Sequence, residues 1–303
     1  MKKTLIYTLL ALAGLSACNK GLDDTVFDKT SDARLDAVLQ DYQAKLSGAP
    51  NGWKLAIAPA DTNYRYVYFF WNRFGNNNRV ISRYQAQPAL ESSFRLKAMQ
   101  RPELIFDTYT YLHDLSNPVP QVPGALTGKG LSADFEFEIL SGTADSFVLK
   151  GKYNGSDAKL YKASPTDSAN SATLATSLYP LAGTYAVKGR ALFYPGGTPT
   201  GTPTTVAIPA EKRAVPLTIP NTVGVEFSNQ SGNGWLYRIT FDPATSKITS
   251  VVPSPTLTNS ITAGSFKVLD YSYDASLKQI FLKTSYINTA GAYRDVEETL
   301  TLK

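Results

Sequence analysis

Short runs of alternating apolar and polar residues, each closed by turn residues, recur along nearly the whole chain. They leave little room for anything but antiparallel β-structure. In the first half these runs are 53–58, 64–71, 79–84, 93–99, 103–109, 134–140, 147–153 and 158–162. Asn76-Asn77-Asn78 and Asn154-Gly155 fall between runs, where hairpins need residues tolerant of positive φ. The stretch YRYVYFFW at 64–71 is apolar on both faces at one end, so the sheet must be covered on both sides there. One helix stands out at 34–46, where Leu35, Val38, Leu39, Tyr42 and Leu46 share a stripe. Ser31 or Asp32 is the expected cap, and Gly48 and Pro50 the stop. The helix is the natural cover for one sheet face, giving an N-terminal α+β domain over 31–163.

Residues 164–177 read SPTDSANSATLATS, with no aromatic residue and a single leucine. So little apolar surface predicts a Ser/Thr-rich linker or surface loop across 164–180. Within it, Asp167-Ser168-Ala169 resembles the short O-glycosylation acceptor of the Bacteroidetes envelope. Beyond it, runs at 183–189, 222–227, 235–241, 247–252, 266–273, 279–286 and 293–302 predict an all-β domain over 181–303. Its turn spacing fits a meander that closes into a sandwich or barrel. The fold class is therefore mainly β, and the two halves show no true internal repeat.

At the N-terminus, Lys2 and Lys3 precede an apolar run from Leu5 to Leu15, and small residues then lead to Cys18. This is the order of a secretory signal over residues 1–17, with an apolar run too short to span a bilayer comfortably. Leu15-Ser16-Ala17-Cys18 resembles the lipobox of bacterial lipoproteins, which implies acylation of Cys18 and anchorage in membrane lipid. Each buried CH₂ contributes about 0.8 kcal/mol, so two or more chains hold firmly. Residues 18–30 form the lipidated tether. Asn19-Lys20-Gly21-Leu22-Asp23-Asp24 looks like the export signal that sends Bacteroidetes lipoproteins to the outer face of the outer membrane, and it also serves as a flexible spacer.

Composition removes several function classes. Loss of Lys2 and Lys3 lowers the formal net charge from +5 to +3, and no dense Lys/Arg stripe remains, so nucleic acid is not an expected partner. A single cysteine precludes an intramolecular disulfide. One histidine and one acylated cysteine leave no basis for a zinc site. Asp134, Glu136 and Glu138 alternate along one predicted strand and read as an exposed acidic stripe rather than calcium ligands. Gly124 to Gly130 superficially resembles a phosphate loop but is one residue short and lacks Ser or Thr after Lys129. No Gly-x-Ser-x-Gly elbow occurs. No cofactor and no metal are expected. A glycosidase-type carboxylate pair stays open, because its members can lie far apart in the chain.

His113, the only histidine, lies in FDTYTYLHDLSNP. If the strand runs through, Asp107, Tyr109, Tyr111 and His113 share one sheet face as a hydrogen-bonded network or ligand platform. Alternatively, His113 buttresses the turn at Ser116-Asn117-Pro118. Trp53, Trp71 and Trp235 are the aromatic candidates for stacking on a sugar ring.

Several pieces together resemble a family of Bacteroidetes envelope lipoproteins defined by a domain of unknown function. They are Asn51-Gly52-Trp53, Phe106-Asp107-Thr108-Tyr109, His113, Leu115-Ser116-Asn117-Pro118, Asp134-Phe135-Glu136-Phe137 and Leu149-Lys150-Gly151-Lys152. The resemblance covers about 34–162, and Ser132-Ala133 departs from it where the family tends to have glycines. It implies a lipoprotein found beside outer-membrane nutrient-uptake systems. The stretch GWLYRITFDPATSKIT and the last thirty-odd residues are similar to closing β-domains of other surface lipoproteins of that setting. The leading expectation is a non-enzymatic surface lipoprotein that binds a glycan, peptide or partner protein. The alternatives are a hydrolase with carboxylates near Asp107 and His113, and an accessory subunit docking on an outer-membrane transporter.

Overall fold

A computed structural model describes residues 30–60, 66–119, 127–226, 235–254 and 261–303. The signal sequence, Cys18 and the tether up to residue 29 lie outside the described residues. Helix α1 (Ser31–Ser47) begins one residue after Thr30, whose hydroxyl accepts from the Ala33 amide and caps it in place of the expected Ser31 or Asp32.

The first half is a closed antiparallel barrel. Strands β1 (Trp53–Ala58), β2 (Tyr68–Phe74), β3 (Arg79–Tyr84), β4 (Leu90–Lys97), β5 (Glu103–Phe106), β6 (Glu136–Gly142), β7 (Ser146–Gly151) and β8 (Asp157–Lys162) each pair with the next. β8 then closes on β1, so no edge is left over. The interior is filled by alternate residues, among them Trp53, Leu55 and Ile57 from β1 and Phe94, Phe137 and Phe147 from other strands. Its rings meet edge-to-face, as in Phe74–Phe94 at 4.8 Å and Trp53–Phe147 at 5.2 Å, the arrangement aromatic quadrupoles favour.

Each end of the barrel is plugged. At one end the last turn of α1 inserts Leu46, and Tyr42 packs edge-on against Phe147. The Trp53 indole donates to the Leu46 carbonyl at 2.8 Å. Helix α1 thus stoppers the barrel instead of lying across a sheet face, and its earlier turns leave Val38 exposed. Gly52 makes this corner possible: its φ is +75°, and a Cβ there would strike the Asn72 carbonyl and the Trp71 ring. At the opposite end a 3-10 helix (Tyr111–Ser116) inserts Leu112 and Leu115.

The outer face of β1–β3 is covered by the segment expected to be a linker, which corrects that reading. Residues 165–178 fold into α2 (Pro165–Ala169) and α3 (Leu174–Leu178), with Ser164 and Asp167 forming a reciprocal capping box. Leu174 is buried against Phe69 and Trp71. Asp167 is buried too, 3.0 Å from Lys54, and Arg83 lies over the Trp71 ring while donating to the Ser168 carbonyl. One leucine and one ion pair anchor a segment whose composition alone argues against a core.

The second half is one antiparallel sheet of nine strands: β9 (Gly183–Tyr194), β10 (Thr204–Val206), β11 (Glu211–Pro216), β12 (Thr222–Glu226), β13 (Trp235–Phe241), β14 (Ile248–Pro253), β15 (Lys267–Asp274), β16 (Gln279–Ile287) and β17 (Tyr293–Leu302). Their order is β14-β13-β12-β11-β9-β17-β16-β15, with β10 on β9. The sheet curls until β14 and β15 lie side by side, yet among the described residues no ladder joins them. It is a nearly closed barrel around Tyr185, Tyr237, Ile239, Phe241, Ile280 and Leu300. Sequence patterning missed β11 because its inward positions are Lys212, Ala214 and Pro216, a charge, a small residue and a proline where a strand normally buries large apolar side chains. Lys212 is tolerated inside because Glu298 grips its ammonium at 2.6 and 2.7 Å, both side chains being 3% exposed. Among the described residues no helix is long and apolar enough to cross a membrane.

Candidate functional site

The residues singled out from sequence do not gather in one place. Trp53 is fully buried in the barrel core, and Trp71 is sealed beneath Arg83 with its indole donating to the Asn51 carbonyl at 2.7 Å. Neither offers a ring face to a ligand, which corrects their assignment as stacking platforms. Trp235 opens β13, and its side chain lies outside the described residues.

Strand β5 ends at Phe106, so Asp107, Tyr109, Tyr111 and His113 do not share a sheet face. Asp107 pairs with Arg95 at 2.9 Å. Tyr109 donates to Asp114 at 2.8 Å, and Tyr111 donates to the Pro88 carbonyl at 3.0 Å. Burial and the Asp114 contact push the Tyr109 phenol up to about 12. His113 stacks on Phe135 with centroids 4.4 Å apart and accepts from the Thr110 amide through Nδ1 at 3.1 Å. That role places the ring proton on Nε2, and burial holds the pKa below the ordinary histidine value. The ring is occupied as a helix cap, while the neighbouring Asp114 carboxylate accepts from the Tyr109 hydroxyl.

Among the described residues, one cavity that sequence reading did not find has walls suited to a ligand. A cleft of about 500 Å³ opens at the seam between the barrel and the second sheet, a size ordinary for small-ligand sites. Barrel strands β2 and β3 end there, bringing Tyr68, Tyr84 and the preceding Tyr66; loop residues Gln85 and Gln87 continue the wall. The far wall is the outward face of β11 and β12, where Arg213, Val215 and Glu226 alternate with the inward core positions. The seam is stitched by backbone: Val67 donates to the Pro216 carbonyl at 3.1 Å, and Tyr66 bridges to Leu217.

Arg213 and Glu226 face each other across β11 and β12 in a bidentate pair of 2.7 and 2.8 Å. The Tyr66 hydroxyl reaches the same carboxylate at 3.4 Å. Glu226 raises the Arg213 pKa still further, so the guanidinium stays charged throughout the accessible range. Tyr84 stacks on Phe70 at 4.9 Å; burial raises its phenol pKa, as does the Asp114 charge, against the opposing pull of Arg213. The 85–88 loop therefore stands between the cleft and the Tyr111–His113 turn. Gln85 adopts φ +50°, a left-handed conformation unusual for its type, fixed by its carbonyl accepting from Ser171. No local signal marked this cleft, because its walls come from residues about 150 positions apart. Among the described lining residues Glu226 is the one carboxylate, and it is engaged by Arg213, so no acid–base pair converges there.

Among comparisons with known proteins, a family model described as a domain of unknown function, DUF4302, matches residues 23–184. The chain belongs to the DUF4302 family. No curated protein matches the sequence. Among solved structures, the crystal structure of the vaccine antigen transferrin binding protein B from Haemophilus parasuis Hp5, in a tryptophan-to-alanine mutant, overlaps 82% of this chain and 74% of its own. The identity is 8% and the TM-score 0.26, too loose a fit to say anything of shared shape or activity. The DUF4302 match takes in α1, the whole barrel and the α2–α3 segment, and ends as β9 begins.

Within the DUF4302 region, the motif residues form one connected scaffold around the barrel. The Asp134 carboxylate accepts from the backbone amides of Tyr153, Asn154 and Ser156 at 2.8 to 2.9 Å. Ser116 and Asn154 both donate to the Ala133 carbonyl, and Phe135 carries the His113 ring. The acidic stripe expected at 134–138 is corrected accordingly: Asp134 is buried, while Glu136 and buried Glu103 flank Lys152, and Glu138 faces Arg101. Among the described residues no three His, Cys, Asp or Glu side chains gather as a metal site.

Proposed function

We propose that this DUF4302 protein is a lipid-anchored surface lipoprotein of the outer membrane that captures a nutrient, a glycan or a peptide, for an uptake system without transforming it. The anchoring half of the reading rests on the signal order and the lipobox-like LSAC ending at Cys18. The binding half rests on one observation: the tyrosine-walled seam cleft, in which the one carboxylate among the described lining residues is tied to an arginine. Aromatic walls with a few fixed polar groups make a recognition surface, and among the described lining residues no nucleophile–base arrangement accompanies them.

Two measurements test this. Mass spectrometry of the native protein is expected to find Cys18 as its acylated first residue; an unmodified Cys18 thiol would refute the lipid anchor. The mature chain is expected to bind glycans or peptides on an array, leave them intact, and lose that binding with Tyr66→Ala. Release of cleaved products, or binding indifferent to Tyr66, would reject the cleft as a capture site.

A further inference from the structure

We infer that the seam cleft takes an uncharged saccharide, and that the Arg213–Glu226 pair is the element that reads its hydroxyls; this rests on the cleft being the binding site. Arg213 and Glu226 neutralise each other at 2.7 and 2.8 Å, and the remaining polar wall includes the amides of Gln85 and Gln87 and tyrosine hydroxyls. An acidic ligand has to displace Glu226 from the guanidinium or sit against a like charge, and a cationic one meets Arg213 in the same way.

A diol meets neither obstacle. The guanidinium carries five N–H donors, of which the pair uses two, and the carboxylate retains acceptor capacity beyond its bonds to Arg213 and Tyr66. Donors and acceptors therefore stand side by side, as adjacent hydroxyls require. Tyr66, Tyr68 and Tyr84 line the cleft with aromatic carbon suited to the C–H side of a sugar ring, one face of the Tyr84 ring being taken by Phe70. An extended peptide, by contrast, binds by pairing with a free strand edge, and here the Val67 amide and the Pro216 carbonyl are already joined across the seam.

The test uses the mature full-length chain, a neutral hexose oligosaccharide and a uronic-acid oligosaccharide of the same linkage, with binding followed calorimetrically at low and high salt. The wild type is expected to bind the neutral sugar with little salt dependence and to lose about tenfold or more with Arg213→Ala. Glu226→Gln leaves the guanidinium uncompensated and is expected to raise affinity for the acidic sugar relative to the neutral one; thermal melts confirm that both variants fold. A wild-type preference for the acidic sugar, weakening as salt rises, would overturn the inference while leaving the cleft as a binding site. So would cleft binding of a neutral peptide but no sugar. Sugar binding unchanged by Tyr66→Ala and Arg213→Ala would instead remove the cleft itself.

Discussion

The carboxylate of Asp134 occupies the space in which a side chain on Gly151 would have to begin, so any larger residue at 151 must displace it. Three backbone amides of the β7–β8 turn converge on that carboxylate, which links two motifs far apart in sequence into a single lock. Asp134→Ala leaves buried amides without an acceptor and is expected to cost about 3 kcal/mol or more. Gly151→Ala forces the same carboxylate out and should destabilise comparably, although it removes no polar group. Urea unfolding of both variants checks this; a Gly151→Ala protein as stable as wild type would show that the lock yields freely.

His113 predicts a pH effect of defined sign. Burial keeps its folded pKa below the unfolded value of 6.5, so the unfolded chain takes up the proton more readily. The contribution is complete above pH 6.5 and is lost as pH falls through the folded pKa. Gln at this position fits the Thr-x-x-Gln capping pattern, so His113→Gln keeps the cap while removing the titration. The difference in Tm between wild type and His113→Gln is expected to shift against the wild type on moving from pH 8 towards pH 5. A difference constant across that range would show that His113 does not titrate differently on folding.

Lys212 and Glu298 form the one ion pair among the described residues in which both side chains are only 3% exposed. Removing either partner strands a buried charge, so Lys212→Met or Glu298→Leu alone is expected to cost about 3 to 5 kcal/mol. The double variant should recover most of that loss, because two apolar side chains replace two desolvated charges. A double-mutant cycle in urea tests the coupling; additive losses would mean that the charges do not depend on each other.

The α2–α3 segment predicts protease resistance. With Leu174 and Asp167 buried against the barrel, cleavage between 164 and 180 is expected to be slow in the native protein. Lys54→Ala removes the partner of Asp167 and should expose the segment to limited proteolysis. Rapid cutting of the wild-type chain within these residues would return the segment to a loosely held linker.

What the sequence determined by itself was local: strand periodicity, the helix that ends at Gly48, the turn chemistry and the kinship with the DUF4302 family. These follow from short-range sterics and from the alternation of side chains, which a linear reading contains. Tertiary structure decided which faces meet. Closure of β8 on β1 put Trp53 inside, a single buried leucine turned a polar stretch into a cover, and a lysine became a core residue because Glu298 lay two strands away. The 103–109 run stopped at Phe106 because the 3-10 plug had to fill the barrel mouth. The seam cleft was invisible for the same reason: Tyr66 and Arg213 are brought together by barrel closure and sheet curvature, and no spacing rule along the chain encodes that contact.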